Sequence, residues 1–579
     1  MRSLLRLIGL GGGIGCLIFG MFQQDDAKWL LFLWAGMFLL TIGVAASVET
    51  LRSSIRKGVL NLALVFVMLF VMLTVQLLRS QFIYAQSIYN KTVQDAKGNV
   101  TGNIRPVLRS MKVRRGAIFD RNGLMLAGSD ANPDGFARRT YPIAQQADIR
   151  AFSNILGFSS SRYGNYGLES TWNDWLTGEQ GQALRSLQDD LFNRPHSGDN
   201  LQLTIDWRLQ QRVWNAMVRL GGGKPSSAVV LDPRSGAILA LVSVPGYDPQ
   251  ALTFNPFASD WDAENTHIAD AWKQLNADPQ FPLINRPLQG KYAPGSTFKT
   301  VTASDALLHP EVLQGGITCP NEYRPDPNAP PVTNAVSNLA RLTGNPSNLQ
   351  KVYAYSCNTA FAQLGVKLGA DRLSELAEKF HIYPPRVAPD QSNDLTDLPT
   401  ATSLLALRND FLSTPGGVAS TAYGQGQLSV TPFQMALVAA TVANDGVMPG
   451  AYLVEKVTDP SGAVAYQHAG RSGLLQQRVL PSQVAAEMRE NMRIGVTQGF
   501  GKAAAVPGQT VGGKSGSAQA GSPDPNSIVH AWFIAIAPVE QARYAVAVMI
   551  ENGRDGAGVG AAAAGAVLKE AFALEAQKP

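Results

Sequence analysis

Cysteine, histidine and charge are all scarce in this chain. Its 579 residues include three cysteines and six histidines, and only 16% are charged. Three cysteines exclude a disulfide scaffold, and their positions exclude a C-x-x-C zinc or redox site. The histidines are scattered and form no H-E-x-x-H pair, so no metal and no cofactor is expected. A G-x-S-x-G elbow is also missing, which removes the usual Ser-His-Asp hydrolase pattern. A net charge of +5 is small for this length and argues against dedicated nucleic-acid binding. Cys16 falls in an apolar run. Cys319 and Cys357 are free either to pair in an oxidising compartment or to remain two buried thiols.

Apolar sequence, by contrast, is plentiful and concentrated at the start. Leu4 to Phe22, Trp29 to Val48 and Val59 to Leu78 are runs of the length that crosses a hydrocarbon core of roughly 30 Å. The first begins after basic residues, as a signal peptide does, but no small-residue cleavage site follows it. Arg2 and Arg6 flank the first run, and Arg52, Arg56 and Lys57 separate the second from the third. Asp25 and Asp26 lie between the first two. The positive-inside rule then places the N-terminus inside, gives three crossings over residues 1–78, and puts everything beyond Arg79 outside.

Residues 79–223 read as a strand-rich pedestal of short alternating pieces, with a hairpin signal in Asn-Gly at Asn122 and Gly123. Trp207 to Leu220 has helical spacing and leads into residues 224–579. There, the stretch from Ser226 forms two strands about a turn at Pro233 to Gly236. Three more strands are expected around Lys514, from His530 and from Tyr544. The expected fold is α/β: a five-stranded antiparallel sheet closed by an Ala-rich helix from about Gly560 to Glu575. A helical, loop-rich insert between the sheet halves leaves a cleft at their junction.

The stretch GQTVGGKSGS, from Gly508, fits the phosphate-binding P-loop pattern. A P-loop needs a buried strand before the glycines and a helix starting at the Lys-Ser. Pro507 precedes the glycines, and residues 516–525 are turn chemistry ending in a Gly/Pro-rich loop. The segment also lies outside the cell, away from free ATP. The remaining reading puts Lys514 on a strand edge beside a cleft.

Two other clusters suit that cleft. Ser296 and Lys299 are three apart on a helix expected to run from Ser296 to Leu308, so they share a face. A hydroxyl needs an adjacent base to become a nucleophile, and a lysine desolvated beside another cation can be neutral enough to serve. Lys514 is the candidate for that cation. Ser356 and Asn358 stand two apart just before a helix, where either faces the cleft or caps the helix.

The order Ser-x-x-Lys, Ser-x-Asn, Lys-Ser-Gly resembles the penicillin-recognising acyl transferases. With RRGAIFDRNGLMLA, YGNYGLE, LTID, PGSTFKTVTA, SCNTAF, YGQGQLSVTPFQMALVAATVANDG and GKSGSAQ, the chain from about Arg105 onward is similar to class B penicillin-binding proteins, the monofunctional peptidoglycan D,D-transpeptidases. That resemblance implies a β-lactamase/transpeptidase-like fold, with Ser296 as nucleophile and Lys299 as its base. It further implies that Ser356 and Lys514 relay protons and that Asn358 orients Lys299 and the substrate amide. The N–H groups of Ser296 and Ser517 would form the oxyanion hole. Ser515, Gly516 and Ser517 would bind the substrate's terminal carboxylate and backbone.

The implied ligands are stem peptides ending in D-Ala-D-Ala and, on the same serine, β-lactams. The implied partner is a polytopic membrane glycan polymerase of the SEDS family, since residues 79–223 are too short for a glycosyltransferase domain. The implied location is the bacterial inner membrane. Hydrolysis of the acyl group by water, as in a D,D-carboxypeptidase or β-lactamase, is the competing enzyme reading, and a non-catalytic β-lactam sensor or polymerase-activating scaffold is the other. Two features depart from the family pattern. Most members have one anchor where this chain has three apolar runs, and Lys-Thr-Gly-Thr is commoner than the Lys-Ser-Gly-Ser found here.

Overall fold

The computed structural model describes the chain apart from residues 1, 24, 46–53, 85, 86, 88–91, 95–99, 102–104, 181–196, 328, 329, 386–391, 394, 470–475, 521–527, 578 and 579. The Gly/Pro-rich loop expected after Lys514 and the basic residue Arg52 fall outside the described residues. The chain divides into two compact units, Met1–Ser110 and Met111–Pro579.

In the first unit the three apolar runs are helices, α1 (Arg2–Met21), α2 (Asp26–Ala45) and α3 (Ser54–Leu78). The glycine-rich start of the chain is a packing surface. A side chain at Gly9 would stand 2.4 Å from the Gly43 nitrogen, and one at Gly13 2.9 Å from the Gly36 oxygen. Small residues on both helices thus let the α1 and α2 backbones touch, the close packing seen between helices in lipid. The Trp29 indole N–H donates to Gln76 Oε1 at 2.8 Å and ties α2 to α3.

Leu4–Met21 and Ala27–Val44 are long and apolar enough to cross a membrane, whereas the described apolar stretch of the third run is the shorter Val65–Gln81. A C-terminal stretch, Gly556–Glu575, also meets the length and composition test. Half of it is buried within the second unit, where it is the closing helix of the sheet.

The second unit contains two main sheets besides several two-stranded pairs. The smaller strands come first: β1 (Ile118–Phe119), β2 (Met125–Ala131), β3 (Ala137–Thr140) and β4 (Asn200–Leu203), followed by helix α4 (Trp207–Gly221). The hairpin expected at Asn-Gly joins β1 to β2, with Gly123 at φ +85°. Asp206 caps α4 by accepting the Arg208 and Leu209 N–H groups.

The larger sheet is built from β5 (Ser226–Leu231), β6 (Ile238–Val244) and, much later, β9 (Gly512–Ala520), β10 (Ile528–Ala537) and β11 (Tyr544–Ile550). Its order is β6-β5-β11-β10-β9, antiparallel throughout, with β9 at one edge. Every residue of β5, β6 and β11 is buried, which requires cover on both faces. Helix α8 (Ala561–Glu575) packs with α4 against this sheet, and α7 (Pro432–Ala443) packs against β5, β10 and β11. Between β6 and β9 lie α5 (Lys299–Leu308) and α6 (Asn358–Lys379), which pack on each other.

One pairing crosses the boundary expected near Gly223. Strands β7 (Val454–Thr458) and β8 (Val464–Gln467) leave the insert and join the pedestal sheet, whose order is β8-β7-β4-β1-β2-β3. Such long-range pairing has no local sequence signature.

The pedestal is also held by a buried ion cluster. Glu169 is fully buried and receives Arg115 Nε at 2.7 Å and Arg139 Nε at 2.5 Å. This joins the RRGAIFDRNG and YGLE segments through their charges. Burial alone would raise the Glu169 carboxyl, but the two guanidinium groups overcome it and hold it below the ordinary glutamate value. Removing the carboxylate strands two arginines in the interior, so Glu169→Ala is expected to lose about 3–5 kcal/mol in thermal or denaturant unfolding of the intact chain. In the parent the contribution is complete above the unfolded glutamate pKa and disappears as pH falls through the lower native value. An unfolding midpoint unmoved by the substitution would refute this role.

Candidate active site

Ser296 sits in a 3-10 turn, Gly295–Phe298, that continues as α5 from Lys299. The helix expected from Ser296 therefore starts one turn later in α form. Gly295 adopts φ +55°, and a side chain there would stand 2.9 Å from the Ser517 oxygen. Across the contact, a side chain at Gly516 would meet the Pro294 oxygen at 2.8 Å and the Thr297 nitrogen at 3.1 Å. The two glycines let the serine turn lie directly on β9. Gly516 is thus needed by the protein's own backbone, a reason additional to its expected role toward a peptide.

Ser356 lies in the turn before α6 at φ +55°, a left-handed conformation uncommon for a residue with a side chain. The cap of α6 is Cys357, whose Sγ accepts the Ala360 N–H at 3.4 Å. Neither Ser356 nor Asn358 is consumed as a cap, and both turn to the lysines instead. Asn358 also donates through Nδ2 to the Thr333 oxygen at 2.9 Å.

Lys299 and Lys514 meet at this turn. Lys299 Nζ donates to Asn358 Oδ1 at 2.7 Å, to the Ser356 carbonyl at 2.8 Å and to Ser356 Oγ at 3.1 Å. Lys514 Nζ donates to Ser356 Oγ at 2.9 Å and to the Ser515 carbonyl at 2.9 Å. The side-chain environment is closed: Lys299 is 0% exposed and Lys514 2%. Aromatic rings line it, with Phe361 5.4 Å from Lys299 Nζ and Tyr353 5.7 Å from Lys514 Nζ.

Among the described residues no carboxylate pairs with either amine. Burial, and then the charge of Lys514, holds Lys299 well below the ordinary lysine pKa. Burial alone lowers Lys514 to about 7. Ser356 Oγ therefore bridges two amines whose charged forms burial disfavours, which is a path for a proton between them.

The sequence-derived residues fall into two groups. Lys299, Ser356, Asn358 and Lys514 form one hydrogen-bonded cluster. Ser296, half-buried, lies one turn ahead of Lys299 and against the β9 segment that contains Gly516 and Ser517. Ser515 is buried, whereas Ser517 is exposed at the strand edge. The Ser517 hydroxyl oxygen accepts the Gly556 N–H at 3.1 Å, leaving its own hydrogen to donate.

Sequence reasoning missed several supports of this arrangement. A side chain at Gly424 would stand 1.8 Å from the Gly295 oxygen, and Gln425 Nε2 donates to the Ser517 oxygen at 3.4 Å. Their signal was present in YGQG, a segment matched as a motif without an assigned place. Cys357 lies within the quoted SCNTAF, whereas Thr333 had no such signal.

Comparisons with known proteins identify the family to which this fold belongs. Residues 226–573 match the model for the penicillin binding protein transpeptidase domain, and residues 115–201 match that for the penicillin binding protein A dimerisation domain. Peptidoglycan D,D-transpeptidase PbpA of Mycolicibacterium smegmatis is 34% identical over 464 residues, covering 78% of this chain and 87% of that protein. The structure of penicillin-binding protein A from M. tuberculosis as a ceftriaxone acyl-enzyme aligns with TM-score 0.69 and 31% identity, covering 80% of this chain and all of that one. A D,D-transpeptidase domain from Eggerthella lenta aligns with TM-score 0.62 and 30% identity, covering 80% of this chain and 99% of that one. This chain belongs to the penicillin-binding protein transpeptidase family.

Proposed function

We propose that this protein is a membrane-anchored serine D,D-transpeptidase that cross-links peptidoglycan stem peptides through an acyl-enzyme on Ser296. The observation that carries the reading is the pair of buried amines sharing Ser356 Oγ without a carboxylate. Such a pair supplies a neutral base beside a serine, which a purely structural lysine pair would not need.

In the first step Ser296 Oγ attacks the carbonyl between the two terminal D-alanines, and its proton passes to Lys299. The oxyanion is received by the N–H groups of Ser296 and Ser517, each such donor being worth about 3 kcal/mol in the transition state. The C–N bond breaks, the leaving amine takes a proton along Lys514 and Ser356, and D-alanine departs. Ser515 and Ser517, with Lys514, hold the terminal carboxylate through charge-assisted hydrogen bonds. An amine of a neighbouring stem peptide then attacks the ester, gives up its proton and restores Ser296. β-Lactams enter the same first step and stay attached, as in the acyl-enzyme structures of the M. tuberculosis relative.

The N-terminal helices, read with the positive-inside rule, support three crossings with the second unit outside the cell. A transpeptidase cross-links glycan strands and so needs a source of them. A polytopic glycan polymerase reached through the membrane helices and pedestal meets that need.

Four outcomes are expected. Fluorescent penicillin should label the intact chain with a long-lived adduct on the Ser296 peptide, and Ser296→Ala should abolish it; labelling that survives, or adduct turnover within seconds, removes the transpeptidase assignment. Lys299→Met should lower the acylation rate constant by about 10²–10⁴-fold. Acylation should rise with pH as Lys299 loses its proton. In Lys514→Gln the repelling charge is gone, Lys299 holds its proton to higher pH, and the limb should move upward. A limb that stays in place or moves down contradicts the coupling. For topology, alkaline phosphatase joined after Arg79 should be active and joined after Lys57 inactive, and the reverse pattern would invert the orientation.

A further inference from the structure

The turn that receives Lys299 is gripped from its far side by groups that the transfer reaction does not use. Cys357, between Ser356 and Asn358, is bonded to Cys319 in a disulfide, and both residues are fully buried. The carbonyl of Pro320, next to Cys319, accepts Thr359 Oγ1 at 2.7 Å and Asn334 Nδ2 at 2.8 Å. Asn334 Oδ1 accepts the Thr359 N–H at 3.1 Å, and the neighbouring Thr333 carbonyl accepts Asn358 Nδ2 at 2.9 Å. A covalent bond and a set of hydrogen bonds therefore converge on residues 357–359.

Immediately before them Ser356 holds a left-handed backbone, a conformation unfavourable for a residue with a side chain that persists only where its surroundings impose it. Its carbonyl and hydroxyl, together with Asn358 Oδ1, are the acceptors that surround Lys299 Nζ. With the turn released, Ser356 would relax toward ordinary backbone angles, and those acceptors would leave the amine together.

We propose that Cys319, Cys357 and Asn334 are positioning residues of the transfer reaction, forming a clamp that holds the Ser356–Asn358 turn in register with Lys299. The inference rests on Lys299 acting as the base. The titratable groups near Lys299 are Lys514 on β9 and the Tyr353 phenol, which is hydrogen-bonded to Thr300. The clamp adds no charge, so a change in the pH profile on loosening it reports altered geometry and solvent access.

The test uses the intact detergent-solubilised chain, with the fluorescent-penicillin acylation rate constant measured against pH and the melting temperature measured in parallel. The samples are the oxidised parent, Cys319→Ser/Cys357→Ser, Asn334→Ala, and the parent treated with a phosphine. The phosphine supplies two electrons, and with two protons from water the S–S bond becomes two thiols, as alkylation would verify.

Well below the melting temperature, the serine double variant and the reduced parent should acylate about 10- to 100-fold more slowly, the scale of a misplaced catalytic group. Their pH limb should also be displaced. Asn334→Ala keeps the disulfide and should show a smaller loss in the same direction. Unchanged rate constants and pH limbs, with only a lower melting temperature, would make the disulfide a staple of the fold and overturn the clamp. Should the double variant fail to melt cooperatively, or the reductant fail to reach the buried bond, Asn334→Ala decides on the same terms. Labelling that persists in Ser296→Ala is a separate failure, belonging to the proposed function and not to the clamp.

Discussion

Two amines buried around a single hydroxyl, without a carboxylate to neutralise them, are the constraint on which the rest of this structure depends. Removing an ammonium from water costs several kcal/mol even after relaxation, and two adjacent like charges add repulsion. An acid beside them would relieve both penalties, and it would also hold the lysines protonated and useless as bases. The fold solves the problem with neutral acceptors. Lys299 is satisfied by an amide oxygen, a carbonyl and a hydroxyl, and Lys514 by a hydroxyl and a carbonyl. All of these partners are neutral, so neither amine is held protonated by an opposite charge.

Neutral acceptors act at hydrogen-bond range, which places a demand on backbone precision. The acceptors come from the turn before α6, one amine from the start of α5, and the other from the edge strand β9. Lys299, Ser356 and Lys514 are separated by long stretches of chain and meet because glycine removes the obstacles between backbones. Gly295, Gly424 and Gly516 each sit where a side chain would collide with another segment of the site. Gly556 extends the series, since a side chain there would stand 2.0 Å from the Gly516 oxygen. These residues thus bring the Ser296 turn, the YGQG segment, the strand edge and the start of the final helical segment into contact.

Much of this arrangement could be read before any coordinates were considered. Strands β5, β6, β10 and β11 show as short apolar runs between turn residues, and α8 as an alanine-rich stretch. Ser296 and Lys299 are recognisable because Ser-x-x-Lys, Ser-x-Asn and Lys-Ser-Gly follow in order, whereas the three-residue spacing alone also occurs at Ser54 and Lys57. What stayed hidden depends on distance along the chain or on unusual chemistry. The joining of β7 and β8 to the pedestal sheet is such a case, as is the pairing of Glu169 with two arginines far from it in sequence. The cap of α6 was obscured for another reason: serine and asparagine, both favoured caps, stand on either side of the cysteine that performs the task. The fate of Cys319 and Cys357 was open because compartment alone permits thiols as well as a disulfide.

The pedestal from Met111 onward and the catalytic sheet are better regarded as one body than as two modules in series. Gln210, on α4, accepts the Leu241 N–H at 2.8 Å and donates to the Leu241 carbonyl at 2.8 Å and to the Ala151 carbonyl at 2.6 Å. Thr204, just after β4, donates to the Ile238 carbonyl at 2.7 Å. These buried polar groups would each be costly to expose or leave unpaired, so they resist sliding of one sheet against the other. Apolar packing is continuous as well, running from Ile118 and Leu126 in the pedestal to Val548 and Leu568 beside the catalytic sheet. A hinge between the sheets would have to open both the polar stitches and the shared core. The strands β7 and β8 add a third restraint, because they emerge from the insert just after α7 and end in the pedestal. Force or binding at the pedestal from Met111 onward therefore has a stiff route to the sheet that carries Lys514.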